Sequence, residues 1–342
     1  MLPAVEETSI GRELLPLLDE VERRLRAQVS SSRAFVEDAA RYLMDAGGKR
    51  LRPTLVALCA RLGERGSVAG RAWSDADARI ADAGVVVELV HLATLYHDDV
   101  IDEATARRGT VSANTRWDNT VAILTGDYLF ARASELSADL GVEVTRIMAR
   151  TIASLCEGQI SEVQGSRGAL PPDIPTLEPT LEHYLRVVSE KTASLIATSC
   201  RLGALLSDHS AAEVEAAAEY GWNLGVAFQL SDDVLDIASE HEQTGKTPGT
   251  DLREGVRTLP ILYAAEDEPA GELAQLLDAD AIDDAAVARA LELLRGSAAL
   301  DRARATTAEY AAAAERALDV FDDGPAVRAL RHLAQFTLVR TG

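Results

Sequence analysis

Apolar residues recur at spacings of three and four along most of this chain. One stretch runs through Leu14, Leu18, Val21 and Leu25, and a second occupies residues 85–95. Such spacing places apolar side chains on one face of an amphipathic helix. A strand-like alternation over several segments is not evident. The pattern therefore predicts a nearly all-α protein.

Composition and charge exclude several classes of partner. The chain has 342 residues, of which 47% are hydrophobic, so it can bury a large core without disulfides or metals. With 34 Lys and Arg against 55 Asp and Glu, its formal charge is -21, which disfavours binding to nucleic acid and to anionic lipids. The three cysteines lack a Cys-x-x-Cys spacing, so a zinc site is poorly supported.

The start of the chain and its apolar runs bear on location. The first residues lack a basic segment followed by an apolar one, so no secretory signal is visible. No apolar run is long enough to span a bilayer. We therefore expect a cytoplasmic protein without a transmembrane segment.

An acidic motif, residues 98–102, follows the second apolar stretch. Asp98 and Asp102 are four positions apart and share one helix face, which His91 joins from seven positions before Asp98. Two aligned carboxylates can form a solvated surface, a helix cap or a metal site. The apolar flank predicts a largely buried helix, where carboxylates are costly without a cation. Oxygen ligands without thiols favour a hard ion, and magnesium fits best.

The same motif occurs again at residues 232–236. Gln229, Asp233 and Asp236 lie within a narrow band of one helix face, with Asp232 at its edge. Two acidic clusters on separate buried helices repel each other unless several divalent ions lie between them. Several ions in turn require an anion with many oxygen atoms, such as a diphosphate. The duplication therefore predicts a multi-metal diphosphate site.

Residues 167–179, between the two motifs, contain four prolines. A segment of this kind is either a linker between domains or a long loop between helices. Because the chemistry is shared by the segments on either side, we interpret it as a loop. The chain, residues 1–342, is thus expected to form a single domain.

Basic residues complement the acidic motifs. Residues 47–53 join a Gly-Gly turn to three cations and a proline, and Arg107 and Arg108 follow the first motif. Guanidinium groups suit phosphate, and ion pairs with the neighbouring acids are the simpler interpretation. Residues 47–53 lack the spacing of a Walker phosphate loop. Each basic segment is a weak signal when taken alone.

Taken in order, these segments resemble the trans-type isoprenyl diphosphate synthases, also called the polyprenyl synthetase family. The resemblance covers roughly residues 40–260 and is specific as an ordered combination, although its single pieces are not. It implies an all-α helical bundle of the isoprenoid synthase type, usually a homodimer, with both acidic motifs facing each other across a deep central cavity. The matching segments are Gly48-Lys49-Arg50-Leu51-Arg52-Pro53, His91, His97-Asp98-Asp99-Val100-Ile101-Asp102, Arg107-Arg108-Gly109, Lys191-Thr192, Phe228-Gln229-Leu230-Ser231-Asp232-Asp233-Val234-Leu235-Asp236 and Gly245-Lys246.

The resemblance also implies roles for individual residues. Several magnesium ions per active site would be bound by Asp98, Asp102 and Asp232, with support through water or hydrogen bonds from Asp99, Asp233 and Asp236. The diphosphate of isopentenyl diphosphate would be bound by Lys49, Arg52, His91 and Arg108. The allylic substrate would be surrounded by Arg107, Lys191, Thr192, Gln229 and Lys246. One departure is Val256, since many relatives have a lysine at that position.

The implied reaction is a magnesium-dependent prenyl transfer between an allylic diphosphate primer and isopentenyl diphosphate. Metal ions neutralise the charge that grows on the allylic diphosphate as its carbon–oxygen bond breaks. The double bond of isopentenyl diphosphate then attacks the allylic cation, which groups near Lys191 and Thr192 help to stabilise. The released diphosphate is the expected proton acceptor, because no histidine or carboxylate of the motifs is obviously available for this task.

Product length is expected to depend on the residues just before the first acidic motif. Thr94 lies about 40° from Asp98 around the helix, and Ala93 precedes it. In the family that the chain resembles, aromatic residues at these two positions form a floor for short products. Their absence predicts a hexaprenyl to decaprenyl diphosphate, of the kind that becomes the side chain of a quinone such as menaquinone. The alternative is a larger residue deeper in the cavity and a geranylgeranyl or farnesyl product.

Three other interpretations compete with this one. A class I terpene cyclase shares the first motif, but it usually replaces the second and does not need Lys49, Arg52 and His91. A non-catalytic subunit of a heteromeric prenyl synthase should have lost acidic ligands, whereas all six aspartates are present. A structural helical protein with acidic faces would require many independent coincidences.

Overall fold

The computed structural model describes residues 3–6, 8–64, 72–166, 174, 175, 177, 180–239, 248–253, 255–277 and 283–339. The chain divides into two compact units, each built from separated parts of the sequence. The first unit comprises Met1–Ile152, Leu195–Gly221 and Leu318–His332, and the second comprises Ala153–Ser194, Trp222–Ala317 and Leu333–Gly342. The single-domain interpretation of the sequence stays a prediction.

Helices make up nearly all regular structure in the described residues, which confirms the predicted all-α class. None of these helices combines the length and the apolar character needed to cross a membrane. In chain order the elements are α1 (Pro3–Glu6), α2 (Ser9–Gln28), α3 (Ala34–Asp45), α4 (Leu51–Cys59), α5 (Asp75–Ile101), β1 (Ala106–Arg107), β2 (Thr110–Val111), α6 (Ala113–Arg116), α7 (Asn119–Leu140), α8 (Val142–Gly165), α9 (Leu181–Val188), a π-helical turn (Ser189–Ala193), α10 (Ser194–Leu205), α11 (Ala211–Ala238), α12 (Thr250–Arg253), α13 (Leu259–Asp267), α14 (Glu272–Leu277), α15 (Asp284–Arg295), α16 (Ala298–Ala317), a 3₁₀ turn (Leu318–Val320) and α17 (Pro325–Val339).

Helix α5 is deeply buried within the first unit. Its amino-terminal end is fixed by a capping box, in which Ser74 and Asp77 exchange side-chain and backbone hydrogen bonds. Every residue from 85 to 90 is buried, and the helix packs against α2, α4 and α7. Full burial of one Val or Leu side chain contributes about 1.5–3 kcal/mol. The helix is therefore firmly anchored, and its carboxyl-terminal turn holds the first acidic motif in place.

A short hairpin follows the first acidic motif. Strands β1 and β2 pair in antiparallel register, and Arg108 and Gly109 connect them. These two residues have φ angles of 52° and 74°, the positive values of a type I′ turn. The hydrophobic pattern did not reveal this hairpin, because strands of two residues are too short to show an alternation.

The core of the second unit includes one face of α11. Val226, Leu230, Val234 and Ile237 are nearly fully buried there, together with apolar residues of α9, α13, α15 and α16. Their spacing of four, four and three is that of a single helix face. The acidic residues at positions 232 and 236 therefore project from another side of α11.

The π-helical turn Ser189–Ala193 joins α9 to α10 and contains Lys191 and Thr192. Two glycines allow neighbouring helices to approach it closely. A Cβ atom on Gly158 would lie 2.7 Å from the backbone nitrogen of Lys191, and one on Gly225 would lie 2.6 Å from the Cα of Ala193. Turns of this kind occur frequently at functional sites.

Candidate active site

The first acidic motif ends α5, and its aspartates differ in exposure. Asp98 is half-buried and Asp102, the residue that follows the helix, is exposed, whereas Asp99 is fully buried. Oδ1 of Asp99 accepts a hydrogen bond of 2.6 Å from Nε of Arg107. Its Oδ2 is buried and has no hydrogen-bond partner among the described residues. Asp98 and Asp102 are thus the more accessible carboxylates, and Asp99 fixes the hairpin to the helix end.

Arg107 was expected to contact the allylic substrate, and the structure places it in an ion pair. Its Nη2 lies 3.9 Å from Oδ2 of Asp102, in addition to the bond with Asp99. This ion pair agrees with the simpler interpretation of the sequence, in which the arginine pairs with the neighbouring acids. Contact with an allylic substrate stays a prediction for this residue.

A cluster of basic residues surrounds the middle of α5 in the first unit. Nη1 of Arg108 donates to the carbonyl of Leu43 at 3.0 Å and also to that of Gly47. Nε of Arg52 is buried without a hydrogen-bond partner among the described residues. Lys49, by contrast, is exposed. Three of the four residues predicted to hold isopentenyl diphosphate, Arg52, His91 and Arg108, therefore belong to one cluster, because both guanidinium groups are close enough to His91 to lower its pKa.

Burial sets the protonation of this cluster. It lowers the pKa of Arg52 to about 10, while the nearby carboxylate of Glu88 acts in the opposite direction. Burial also holds the pKa of His91 well below its ordinary value, and the guanidinium groups of Arg52 and Arg108 lower it further. At neutral pH, Arg52 is therefore charged and His91 is a neutral hydrogen-bonding group.

The second acidic motif lies on α11, and its aspartates also differ. Asp233 is buried and accepts hydrogen bonds from the hydroxyl of Tyr184 and, at 2.9 Å, from Nε2 of Gln229. The carboxylate of Asp236 accepts from the backbone nitrogens of Thr250 at 3.2 Å and of Asp251 at 3.3 Å. Burial raises the pKa of Asp233 to about 7, and the neighbouring acidic residues of the motif raise it as well.

Side chains of the second unit line a cavity of about 250 Å³. Oγ1 of Thr192 donates to Oε1 of Gln229 at 3.1 Å, and Nζ of Lys191 forms an ion pair with Glu162. Lys246 lies outside the described residues. The lining residues are Glu162, Gly165, Ser166, His183, Tyr184, Val187, Val188, Lys191, Thr192, Gln229, Asp233, Asp251, Val256, Arg257 and Thr258.

This cavity brings together three residues predicted to contact the allylic substrate, Lys191, Thr192 and Gln229. No sequence pattern indicated Glu162 or Tyr184, which contact partners 29 and 49 positions away in the chain. Val256, the departure from the family pattern, also lines the cavity, and Arg257 stands next to it.

The two residues expected to govern product length differ in exposure. Ala93 is fully buried, whereas Thr94 is half-buried and donates a hydrogen bond of 2.8 Å to the carbonyl of His91. Thr94 therefore lies on the more accessible side of α5, with His91 and Asp98. Neither side chain is bulky.

The donors available to a metal ion are carboxylate oxygens of the two acidic motifs. In the part of the chain that the structure describes, no three His, Cys, Asp or Glu side chains converge into a metal cluster. The carboxylates of both acidic motifs supply only oxygen atoms, which hard divalent cations prefer. Magnesium usually takes one or two protein carboxylates and completes its shell with water and substrate phosphates. The donor set therefore fits magnesium bound together with a diphosphate.

Comparison with known sequences places these residues in a wider context. A profile described as polyprenyl synthetase matches residues 33–294. Nonaprenyl diphosphate synthase of Mycobacterium tuberculosis is 43% identical over 324 residues, which cover 94% of this chain and 92% of that protein. The similarity thus extends well beyond the two acidic motifs.

Solved structures show the same similarity in three dimensions. A polyprenyl synthase of Caulobacter crescentus, crystallised with calcium and isoprenyl diphosphate, has a TM-score of 0.84 and 34% identity, covering 98% of this chain and 99% of that one. Geranylgeranyl pyrophosphate synthase of Corynebacterium glutamicum, with the same kinds of ligand, has a TM-score of 0.81 and 38% identity, with coverage of 98% and 99%. The helical fold is therefore shared along the whole length of the chain.

Proposed function

This chain belongs to the polyprenyl synthetase family, and from that premise we propose that it lengthens an allylic diphosphate primer with isopentenyl diphosphate to give a long-chain polyprenyl diphosphate. The family and the prenyltransferase class predicted from the motifs are both confirmed. One observation supports the reaction most directly. His91 of the basic cluster and Asp98 of the first acidic motif lie on the same helix, α5, seven positions apart.

Magnesium is the proposed cofactor, with several ions per active site. Asp98, Asp102 and Asp232 would bind it, and the buried Oδ2 of Asp99 is an acceptor that a water of the metal shell can serve. When bound, the ions supply Lewis-acid neutralisation of the leaving diphosphate. Asp233 and Asp236 are proposed to support Asp232, since their hydrogen bonds with Tyr184 and with the backbone of Thr250 hold the end of α11 in place.

The basic cluster is proposed to bind the diphosphate of isopentenyl diphosphate. Arg52 and Arg108 carry charge at neutral pH, and guanidinium groups donate parallel hydrogen bonds to phosphate oxygens. Exposed Lys49 adds a further cation, and neutral His91 adds a hydrogen bond without further repulsion. Together they fix the substrate so that its double bond can be oriented.

The cavity of the second unit is proposed to receive the allylic substrate. The hydroxyl of Thr192 is oriented by Gln229, whose own amide is held by Asp233. An oriented hydroxyl oxygen and the carbonyl groups of the π-helical turn can face the positive charge that develops on the allylic carbon. Because Gln229 is fixed on both sides, this arrangement exists before the substrate arrives.

The proposed product has six to ten isoprene units. Small side chains at Ala93 and Thr94 support this length, as does similarity to a protein named nonaprenyl diphosphate synthase. A geranylgeranyl product is the second candidate, because a geranylgeranyl pyrophosphate synthase is 38% identical to this chain. Use of the product in menaquinone and a cytoplasmic location stay predictions from the sequence.

A homodimer is proposed as the functional assembly. Helix α7 of the first unit presents Ile123 and Leu124 with exposed fractions of 42% and 60%. Two adjacent large apolar side chains on one helix surface are candidates for a subunit interface. Sedimentation of the purified protein will distinguish a dimer from a monomer.

The reaction is tested by incorporation of labelled isopentenyl diphosphate. The purified chain is incubated with the label, farnesyl diphosphate and magnesium, and the organic-soluble product is counted. We expect incorporation that disappears when farnesyl diphosphate is omitted or when a chelator removes magnesium. A folded protein that incorporates no label with any allylic primer would refute the proposed function.

A further inference from the structure

A carboxylate lies inside the basic cluster, where a binding site for an anion would be expected to avoid one. Glu88 on α5 is 1% exposed. Its Oε1 accepts a hydrogen bond of 3.1 Å from Nη1 of Arg50 and lies 3.9 Å from Nη2 of Arg108. Arg52 is close enough for the charge of Glu88 to oppose the lowering of its pKa. One buried carboxylate thus interacts electrostatically with three guanidinium groups.

The two guanidinium groups nearest Glu88 are also held by the backbone. Arg50 donates to the carbonyl of Met44 at 3.1 Å, and Arg108 donates to that of Leu43 at 3.0 Å. Glu22 pairs with Arg50 from a more exposed position. A group held by a carboxylate and carbonyls has few rotamers left, so its remaining N–H groups have fixed directions.

The backbone around the cluster is specialised for this arrangement. Arg50 has a φ angle of 48°, a left-handed conformation that costs roughly 1–2 kcal/mol for a residue with a side chain. A Cβ atom on Gly48 would lie 3.0 Å from Nη1 of Arg50 and 3.1 Å from Cζ of Arg108. The glycine therefore leaves room for both guanidinium groups, and their hydrogen bonds compensate the strain at Arg50.

We propose that Glu88 is a positioning residue for isopentenyl diphosphate, an inference that rests on the function proposed above. It holds Arg50 and Arg108 in place, so that Arg108 and Arg52 present their other N–H groups to the diphosphate. Glu88 itself does not touch the substrate, since a carboxylate and a diphosphate repel each other. Its effect is confined to the binding of one of the two substrates.

If Glu88 is a positioning residue, removal of its charge weakens the binding of isopentenyl diphosphate, whereas a simple charge effect would strengthen it. Removal of a negative charge from an anion site strengthens anion binding if only the electrostatic potential matters. Removal of the Glu88 charge instead leaves Arg50 with only the more exposed Glu22 and takes away the carboxylate beside Arg108, so that both guanidinium groups shift. We expect the second effect to win, because Glu88 is almost fully buried and directly bonded to Arg50.

The test compares Glu88→Gln with Asp77→Asn. Asp77 is also a buried carboxylate of α5 paired with an arginine, Arg61, and it precedes Glu88 by eleven residues, about 16 Å along the helix. For Glu88→Gln, we expect the KM for isopentenyl diphosphate to rise about tenfold, while the KM for farnesyl diphosphate changes less than about twofold. For Asp77→Asn, we expect a lower Tm and unchanged KM values.

A second variant keeps the test decisive if Glu88→Gln does not fold. Glu88→Asp retains the charge on a shorter side chain. We therefore expect the KM for isopentenyl diphosphate to rise by about threefold, which is less than in Glu88→Gln. An unchanged or lower KM for isopentenyl diphosphate in a folded Glu88 variant would overturn the proposal, and so would equal increases for both substrates. Absence of prenyl transfer by the unmodified chain would instead refute the proposed function, so the two failures are distinguishable.

Discussion

The two acidic motifs have the same spacing but different surroundings. The middle aspartate is buried in both, at Asp99 and at Asp233. Asp99 is paired with the charged guanidinium of Arg107, whereas Asp233 is held by the neutral groups of Tyr184 and Gln229. Identical sequence motifs thus serve a charged network in one unit and a neutral network in the other. The interactions of the middle aspartate therefore depend on its buried partners and not on the spacing of the motif.

The largest effect on kcat is expected at the first aspartate of each motif. Asp98→Asn and Asp232→Asn should each reduce kcat by about a thousandfold, because a lost carboxylate ligand weakens metal binding and charge stabilisation by several kcal/mol. Steady-state kinetics at saturating magnesium will measure this. Asp139→Asn, a change of an exposed aspartate on α7, is the control and should retain full activity. Near-normal kcat in either motif variant would contradict a metal role for that motif.

The partners of the middle aspartates provide the next comparison. Arg107→Gln leaves Asp99 as a buried charge without its counterion and should lower the free energy of unfolding by about 3 kcal/mol. Tyr184→Phe removes a single hydrogen bond from Asp233 and should cost about 1 kcal/mol. Urea denaturation of both variants gives the two values. Equal losses would show that the two surroundings do not differ energetically.

Much of the first motif could be predicted from the sequence, and much of its environment could not. Helical periodicity alone placed His91, Asp98 and Asp102 on one face, and none of the three is fully buried. The hairpin β1–β2 was not predicted, because a glycine beside Arg108 was its only signal in the sequence. Contacts such as that of Glu88 with Arg50 join residues 38 positions apart. Tertiary packing decides such pairs, and a single sequence does not encode them visibly.

The second unit shows the same limit. The spacing of Gln229 and Asp233 predicted a shared helix face, and the two side chains are hydrogen-bonded. The π-helical turn at Lys191 was not predictable, because it depends on the close approach of Gly158 and Gly225 from other helices. Asp236 was predicted to support the metal ligands, and the spacing could not show that its carboxylate accepts backbone hydrogen bonds at the start of α12.

Two histidines offer a smaller, pH-dependent comparison between the units. Burial lowers the pKa of His91 and of His183, and nearby guanidinium groups lower both further. Below about pH 6.5 the unfolded chain binds a proton that the native state resists, so stability falls as the pH falls, by up to about 1.4 kcal/mol per pH unit for each histidine. His91→Gln should flatten this decline more than His183→Gln, because four arginines act on His91. Urea denaturation between pH 5.5 and 7.5 (roughly one unit on either side of the ordinary histidine pKa) measures this decline, and identical pH profiles for the two variants would contradict the expected difference.

The smallest effect on rate is expected at Thr94, where an aromatic side chain would create a floor that the chain lacks at this position. Thr94→Phe places an aromatic ring on the accessible side of α5, one turn before Asp98. We expect kcat to change less than about threefold while the main product becomes shorter, because added bulk limits the growing tail and not the chemistry. Thr94→Val, which keeps the size of the side chain, is the control. Products of unchanged length would place the floor elsewhere.

The lengths of the products decide between chain elongation and its alternatives. The unmodified chain is incubated with magnesium, farnesyl diphosphate and excess isopentenyl diphosphate, and the dephosphorylated products are identified by mass spectrometry. We expect a series of products, each one isoprene unit longer than the last, that ends between six and ten units. A series ending at geranylgeraniol would contradict the proposed length, and no alcohol longer than farnesol would contradict chain elongation itself.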